Sequence, residues 1–357
     1  MSLKDALNFP LEKRIAIIFD YDLTMTEEFQ QVPYLQDNFR AIQKEYDGRE
    51  IVNPKTGEKI TLSIKEPADY FKLSDLWGEP HNGVGYVQQM LYDARKGILK
   101  NFTEDGLKAA GAKVQVSPGL PEFMKKLRKE WKDKCNISYF VVSVGLEPII
   151  EGSSIARSGQ IDEIFATKMY KLNEFWKGKK NGGTYDGVSE IVTPFNKTGN
   201  AITIAKGGRA NLNSMLQHFE YMFDYRNMIV LGDGTSDISQ FAYARRKGSR
   251  IIGVYRHDSR EAYDNIRTNK LIQDRCNAIL PRDYREDSDL WNYINQKIRI
   301  MIKRKCNFDP ELVDMERKKK IRDPVLLRRV RRHVNQECDY CRGLKEWYPV
   351  APDGKKE

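Results

Sequence analysis

Ile15-Ala16-Ile17-Ile18-Phe19-Asp20-Tyr21-Asp22-Leu23-Thr24-Met25-Thr26 is the stretch that decides the fold. Five apolar residues in a row, β-branched in part, read as a strand buried on both faces, as in the middle of a parallel sheet. The strand ends in two carboxylates one residue apart. Acids at the end of a buried strand are costly unless something there uses them. In open α/β sheets the carboxyl ends of the strands are where ligands bind. Side chains alternate along a strand, so Asp20 and Asp22 start out facing the same way. A turn just after Asp20 would separate them into different tasks. Taken alone, the stretch also fits an ordinary turn rich in Asp and Thr.

Working outward, a second buried strand is expected at 137–145, ending in Ser143-Val144-Gly145. A small hydroxyl and open backbone N–H groups at a strand end suit a phosphate oxygen. A third strand, Met228-Ile229-Val230-Leu231, runs into Gly232-Asp233-Gly234-Thr235-Ser236-Asp237. Its glycines permit a tight turn and close backbone approach. That aims Asp233 at the same strand-end site as Asp20. Between these strands, Pro121 suits the first turn of a helix whose face carries Phe123, Leu127 and Trp131. Residues 148–157 read as a helix, and 161–170 with 188–193 as a hairpin across a Gly-rich turn. Lys197 stands where a loop enters a short helix at 200–206. Residues 212–223 are amphipathic, through Leu212, Met215, Leu216, Phe219 and Met222. After the third strand come a helix at 238–245, a strand at 250–255, a helix at 261–276, a short edge strand at 278–281 and a closing helix at 289–305. This alternation predicts an α/β fold with a doubly wound, Rossmann-like parallel sheet.

The stretch 27–111 breaks the alternation. Phe29, Val32, Leu35, Phe39, Ile42 and Tyr46 fall near helical spacing, as do Val87, Met90, Leu91, Ala94 and Ile98. Between them 51–64 reads as short irregular pieces around the turn Asn53-Pro54-Lys55-Thr56-Gly57.

Four of these features, in order, resemble the motifs of the haloacid dehalogenase-like (HAD) hydrolases. Asp20-x-Asp22-x-Thr24 is similar to the first motif, and Ser143 at its strand end to the second. A lysine at the start of a helix is similar to the third, and Gly232-Asp233-Gly234-x-x-Asp237 to the fourth. The matching span, Asp20 to Asp237, is roughly two thirds of the chain. The resemblance implies a HAD core over 1–26 and 112–300, an inserted, mainly helical cap at 27–111 and a basic C-terminal extension at 301–357.

It also implies a Mg²⁺-dependent phosphomonoester hydrolase acting through an aspartyl-phosphate on a small phosphorylated metabolite. Asp20 would be the nucleophile and Asp22 the general acid and base. Ser143, Gly145 and Lys197 would hold the phosphoryl oxygens. Asp20, the backbone carbonyl of Asp22 and Asp233 would bind Mg²⁺, with Asp237 supporting a metal-bound water or Lys197 from behind. Lys206 competes with Lys197 for the third-motif role and lies nearer the fourth motif. Dehalogenases of this fold lack the second acid, so Asp22 favours a phosphatase. The phosphoserine-phosphatase-like branch is the most similar, which fixes no substrate. Rival readings are a phosphotransferase, a nucleic-acid end phosphatase and a non-catalytic metal- or ligand-binding module.

Composition narrows the class. The 357 residues suffice for a large core, and the net charge is +10. Residues 301–357 hold 16 Lys/Arg against 10 Asp/Glu, so the main body is only mildly basic and net charge does not argue for a nucleic-acid enzyme. Five thinly spread cysteines do not form a disulfide framework and fit a reducing cytosol. No apolar run approaches the length of a membrane span, and the first residues carry no apolar signal core. A soluble, cytoplasmic protein is expected. In the extension, Cys338-x-x-Cys341 with His333 and Cys306 is a weak zinc pattern. Its runs Arg317–Lys320 and Arg328–Arg332 could meet RNA or an acidic partner, but more often such runs are a solvated helix face. Nothing in the chain reveals its oligomeric state.

Overall fold

The structure, a computed structural model, describes residues 3–78, 83–177, 183–216 and 220–303. The basic runs, His333 and the three cysteines of the extension lie outside the described residues. Nine strands are described: β1 (Arg14–Phe19), β2 (Glu50–Val52), β3 (Lys59–Thr61), β4 (Asn136–Leu146), β5 (Glu163–Tyr170), β6 (Gly187–Glu190), β7 (Met228–Gly232), β8 (Arg250–Tyr255) and β9 (Ala278–Pro281). Seven form one sheet in the order β6-β5-β4-β1-β7-β8-β9, and β2 pairs only with β3. All neighbours in the large sheet are parallel except β5 and β6, the expected hairpin. The doubly wound parallel sheet expected from the alternation is the observed architecture.

The position of β1 follows from its sequence. Ile15 to Phe19 are wholly shielded from solvent. Ile15, Ile17 and Phe19 enter one apolar layer and Ala16 and Ile18 the opposite one. A strand apolar on both sides can only sit inside a two-faced sheet, and each large side chain so buried contributes about 1.5–3 kcal/mol. β1 pairs with β4 on one side and β7 on the other, so the strand order reverses at β1. Such a reversal opens a crevice beyond the carboxyl ends of the strands.

Residues 27–111 are mainly helical, with helices Val32–Asp37, Phe39–Tyr46, Tyr70–Trp77, Val84–Arg95 and Glu104–Gly111. Tyr34, Leu35, Tyr70, Val87 and Leu107 belong to the same apolar layer as Ile15 and Phe19. The block therefore packs on the sheet through one shared core. Among the described residues no helix is long and apolar enough to cross a membrane.

Several boundaries differ from the sequence reading. Phe29 lies ahead of the first helix, which starts at Val32 with Pro33 in its first turn. The irregular piece 51–64 contains the hairpin β2–β3. The helix expected at 148–157 is divided at Ser153, and that at 261–276 at Asn269, where each side chain caps the following helix. Within the amphipathic pattern at 212–223, residues 212–216 are turn and irregular, and Met215 is 98% exposed. Leu212 and Ser214 offer their carbonyls to the Lys206 ammonium at 2.7 and 2.8 Å. The run Asn211-Leu212-Asn213-Ser214 is turn-forming despite its apolar spacing.

Candidate active site

The crevice collects side chains from three strand ends and one helix start. β1 stops at Phe19, and the Asp20 amide donates to the carbonyl of Leu231 at 2.9 Å. Asp20 Oδ1 accepts the Tyr21 N–H at 2.8 Å and pairs with Lys197 Nζ at 2.8 Å. The chain then turns, with Leu23 in the left-handed region (φ 55°). The turn carries Asp22 elsewhere: its carboxylate accepts from the Gln30 backbone N–H at 2.7 Å and from Gln30 Nε2 at 3.3 Å. The two acids that a continuous strand would have kept together are thus given separate partners. Arg282, buried on the loop after β9, secures the turn by donating to the carbonyl of Leu23 and pairing with Glu27 at 2.9 Å.

Lys197 opens the helix Lys197–Lys206 and is completely buried. Its ammonium bonds Asp237 Oδ1 at 2.7 Å and Ser236 Oγ at 3.3 Å in addition to Asp20. Burial alone would push this lysine's pKa down, but the two carboxylates hold it above the ordinary value. Lys206, its competitor, points away to the carbonyls of Leu212 and Ser214.

Asp233 follows β7, and Asp237 ends the short turn Thr235–Asp237. One carboxylate oxygen each from Asp20, Asp233 and Asp237 lies within 4.8 Å of the others. Three acids so close repel, and one lysine does not balance them. Burial, then Asp20 and Asp237, push Asp233 well above the usual carboxylate range. Burial and the Asp20 charge raise Asp237 to about 7. Burial raises Asp22 to about 7 as well; the Gln30 bonds oppose the rise and Asp20 adds to it. Asp237 Oδ2 is buried with no hydrogen-bond partner. Gly232 makes the crowding possible, since a Cβ there would meet Asp237 Oδ2 at 2.2 Å. Hard oxygens in excess over their cations, one of them orphaned, suit a divalent cation such as Mg²⁺. Asp20 and Asp233, expected from the sequence as metal ligands, each bring an oxygen to the cluster. Asp237, expected behind the ligands, also contributes an oxygen to the cluster. The Asp22 carboxylate is committed to Gln30.

Ser143 and Gly145 lie in β4, which continues to Leu146 past the expected strand end. The Gly145 N–H donates to Ser143 Oγ at 3.0 Å, and Ser143 is wholly buried one residue before Val144, which with Gly145 lines the cavity. Gly145 borders the cavity and is pressed by Gln30, whose Nε2 stands 1.5 Å from where a Cβ would be. The cavity holds about 470 Å³ and is floored by Asp20, Asp22, Lys197 and Asp233. Its walls include Phe29, Phe71 and Tyr86 from the helical block and Val144 from β4. Sequence reasoning missed Gln30, Ser236 and this aromatic wall. Ser236 adjoins a motif acid and was open to discovery; Gln30 and the wall carry no local signal.

No family model matches the chain, and no curated protein matches it. Among solved structures it is similar to a phosphoserine phosphatase in apo form, at 15% identity and a TM-score of 0.43 over 79% of this chain and 98% of that one. It is similar also to a phospho-aspartyl intermediate analogue of phosphoserine phosphatase, at 16% identity and 0.43 over 80% and 99%. A haloacid dehalogenase-like family hydrolase from Streptococcus pneumoniae aligns at 11% identity and 0.41 over 79% and 99%. These likenesses are distant, and the functional reading stands on the site's own geometry.

Proposed function

We propose that the chain is a Mg²⁺-dependent phosphomonoester hydrolase of HAD type that acts on a small phosphorylated metabolite. The observation that carries this reading is the buried Lys197 bridging Asp20 and Asp237. It leaves one acid for attack and a separately held acid, Asp22, for proton transfer. A phosphomonoester resists hydrolysis because an anionic phosphoryl group must meet a nucleophile in line, so charge neutralisation and positioning supply most of the catalysis.

The bonds from the Tyr21 N–H and the Lys197 ammonium both fall on Asp20 Oδ1, which leaves Oδ2 for phosphorus. Its attack forms the aspartyl-phosphate as the bond to the leaving oxygen breaks. Asp22, raised to about 7, keeps a proton near neutrality and gives it to that oxygen. It then takes a proton from the water that attacks phosphorus and releases Asp20. Lys197, on the cavity floor, would offer a donor to the phosphoryl oxygens, and the Ser143 hydroxyl beside the lining residue Val144 would add a second. When bound by Asp20, Asp233 and the Asp22 carbonyl, with Asp237 in support, Mg²⁺ would neutralise phosphoryl charge and fix its orientation. In this reading 1–26 and 112–300 are the core, and 27–111 caps the cavity it helps to wall.

The test is hydrolysis of an aryl phosphate by the wild-type chain in Mg²⁺ and in EDTA, alongside Asp20→Asn. Turnover that needs Mg²⁺ and vanishes in the variant is the expected result. A variant as active as the wild type would overturn the proposal.

A further inference from the structure

We infer that the cavity selects phosphomonoesters whose alcohol half ends in an alkylammonium group, and disfavours those ending in a carboxylate. The inference rests on the phosphomonoesterase reading and concerns the half of the substrate that is not phosphate. Phe29, Phe71 and Tyr86 line the cavity in a continuous edge-to-face row, with ring centroids 5.7 and 5.9 Å apart. Tyr86 is fixed by donating its hydroxyl to the carbonyl of Val144 at 2.9 Å. Asp75 borders the same cavity from the helix Tyr70–Trp77 and is exposed.

Charge decides what such a wall accepts. Among the described residues lining the cavity, Lys197 is the sole cation, and it is held by Asp20 and Asp237. The nearby Lys55 directs its ammonium to the carbonyls of Asp75 and Gly78. A substrate carboxylate would lose water against aromatic rings and face Asp75, while the ammonium of Lys55 is already bound to two backbone carbonyls. An alkylammonium group brings apolar methyl or methylene surface to the rings, is attracted by their π-faces, and faces a carboxylate of opposite sign.

The experiment measures binding to Asp20→Asn by calorimetry in Mg²⁺, where ligand is not consumed. The ligands are phosphocholine, its uncharged isostere 3,3-dimethylbutyl phosphate, and phosphoserine. Phosphocholine is expected to bind about tenfold or more tighter than phosphoserine, and about threefold or more tighter than the isostere. Asp75→Asn in the same background should narrow the second gap. Phosphoserine binding as tightly as phosphocholine, an isostere that matches it, or no binding by any of the three would each overturn the inference. Aryl phosphate hydrolysis by the wild-type chain is run in parallel. Turnover there with the wrong binding order sinks only the selectivity. The right order without any turnover sinks the hydrolase reading and leaves the selectivity standing.

Discussion

Two groups of buried carboxylates in this molecule have been given opposite surroundings. In the helical block, Asp93 is wholly buried and accepts from Tyr46 OH at 2.5 Å, Tyr70 OH at 2.6 Å and Gln89 Nε2 at 3.0 Å. Its donors come from three helices, Phe39–Tyr46, Tyr70–Trp77 and its own Val84–Arg95. At the strand ends, one lysine pairs with Asp20 and Asp237, Asp233 crowds beside them, and a buried oxygen of Asp237 is left without a donor. In one group each carboxylate oxygen has a donor, and in the other at least one has none. A satisfied buried acid ties elements together, whereas acids crowded beyond their donors retain a demand for charge that a metal or substrate can meet. Burial alone would not have separated the two.

The comparison breaks most easily at its strongest point. Asp20→Asn should lower kcat by about 10⁴-fold or more, since it removes the attacking group, while the melting temperature holds or rises. Relief of repulsion among three crowded acids is the reason for the second half of that expectation. Asp93→Ala should behave in reverse. It strands three buried donors and opens a small void, for a loss of about 4 kcal/mol read by denaturant unfolding. A destabilised Asp20→Asn beside an unaffected Asp93→Ala would show that the roles have been assigned backwards.

The metal sharpens the contrast. Mg²⁺ at about 100 times its dissociation constant should stabilise the chain by about 2.7 kcal/mol over EDTA, and Asp233→Asn should lose most of that gain. The gain should also grow with pH. In the metal-free chain Asp237 is raised from 3.8 to about 7, so the folded state holds protons that the unfolded state has released. Stability from this acid is therefore present below about pH 4 and lost as pH rises toward 7. Bound Mg²⁺ replaces those protons, so the difference between Mg²⁺ and EDTA melting curves should widen from pH 5 to pH 8. A difference independent of pH would place the metal elsewhere. Asp93→Ala should keep the Mg²⁺ response intact.

How much of this was legible in the sequence follows the same division. The strands that carry the site announce themselves, because a two-faced sheet demands unbroken apolar runs such as Ile15–Phe19 and Met228–Leu231, and the acids stand directly after them. Lys197 was ambiguous with Lys206 until the fold placed one at Asp20 and the other 206-to-214 turn-bound. The Asp93 cluster was illegible. It is one acid on an amphipathic helix, and its tyrosine partners lie 23 and 47 residues away. Gln30 was hidden for a related reason: it holds Asp22 only because the chain after β1 doubles back. At 212–216 the apolar spacing does not decide the local structure, because Asn211, Asn213 and Ser214 favour turns.

The smallest effect tests the comparison within the helical block itself. Tyr70→Phe removes one hydroxyl from Asp93 Oδ2 and leaves Gln89 as the donor to that oxygen. A lost hydrogen bond to a charged group costs about 1.5 kcal/mol, and the ring itself stays packed. Tyr70 precedes Phe71, which walls the cavity, so a purely structural network has a definite signature. Unfolding should shift to lower denaturant with unchanged slope, while kcat and Mg²⁺ response stay at wild-type values. If kcat falls and stability does not, the Asp93 network sets the position of the aromatic wall during turnover, and the contrast between a structural and a reactive carboxylate group must be redrawn.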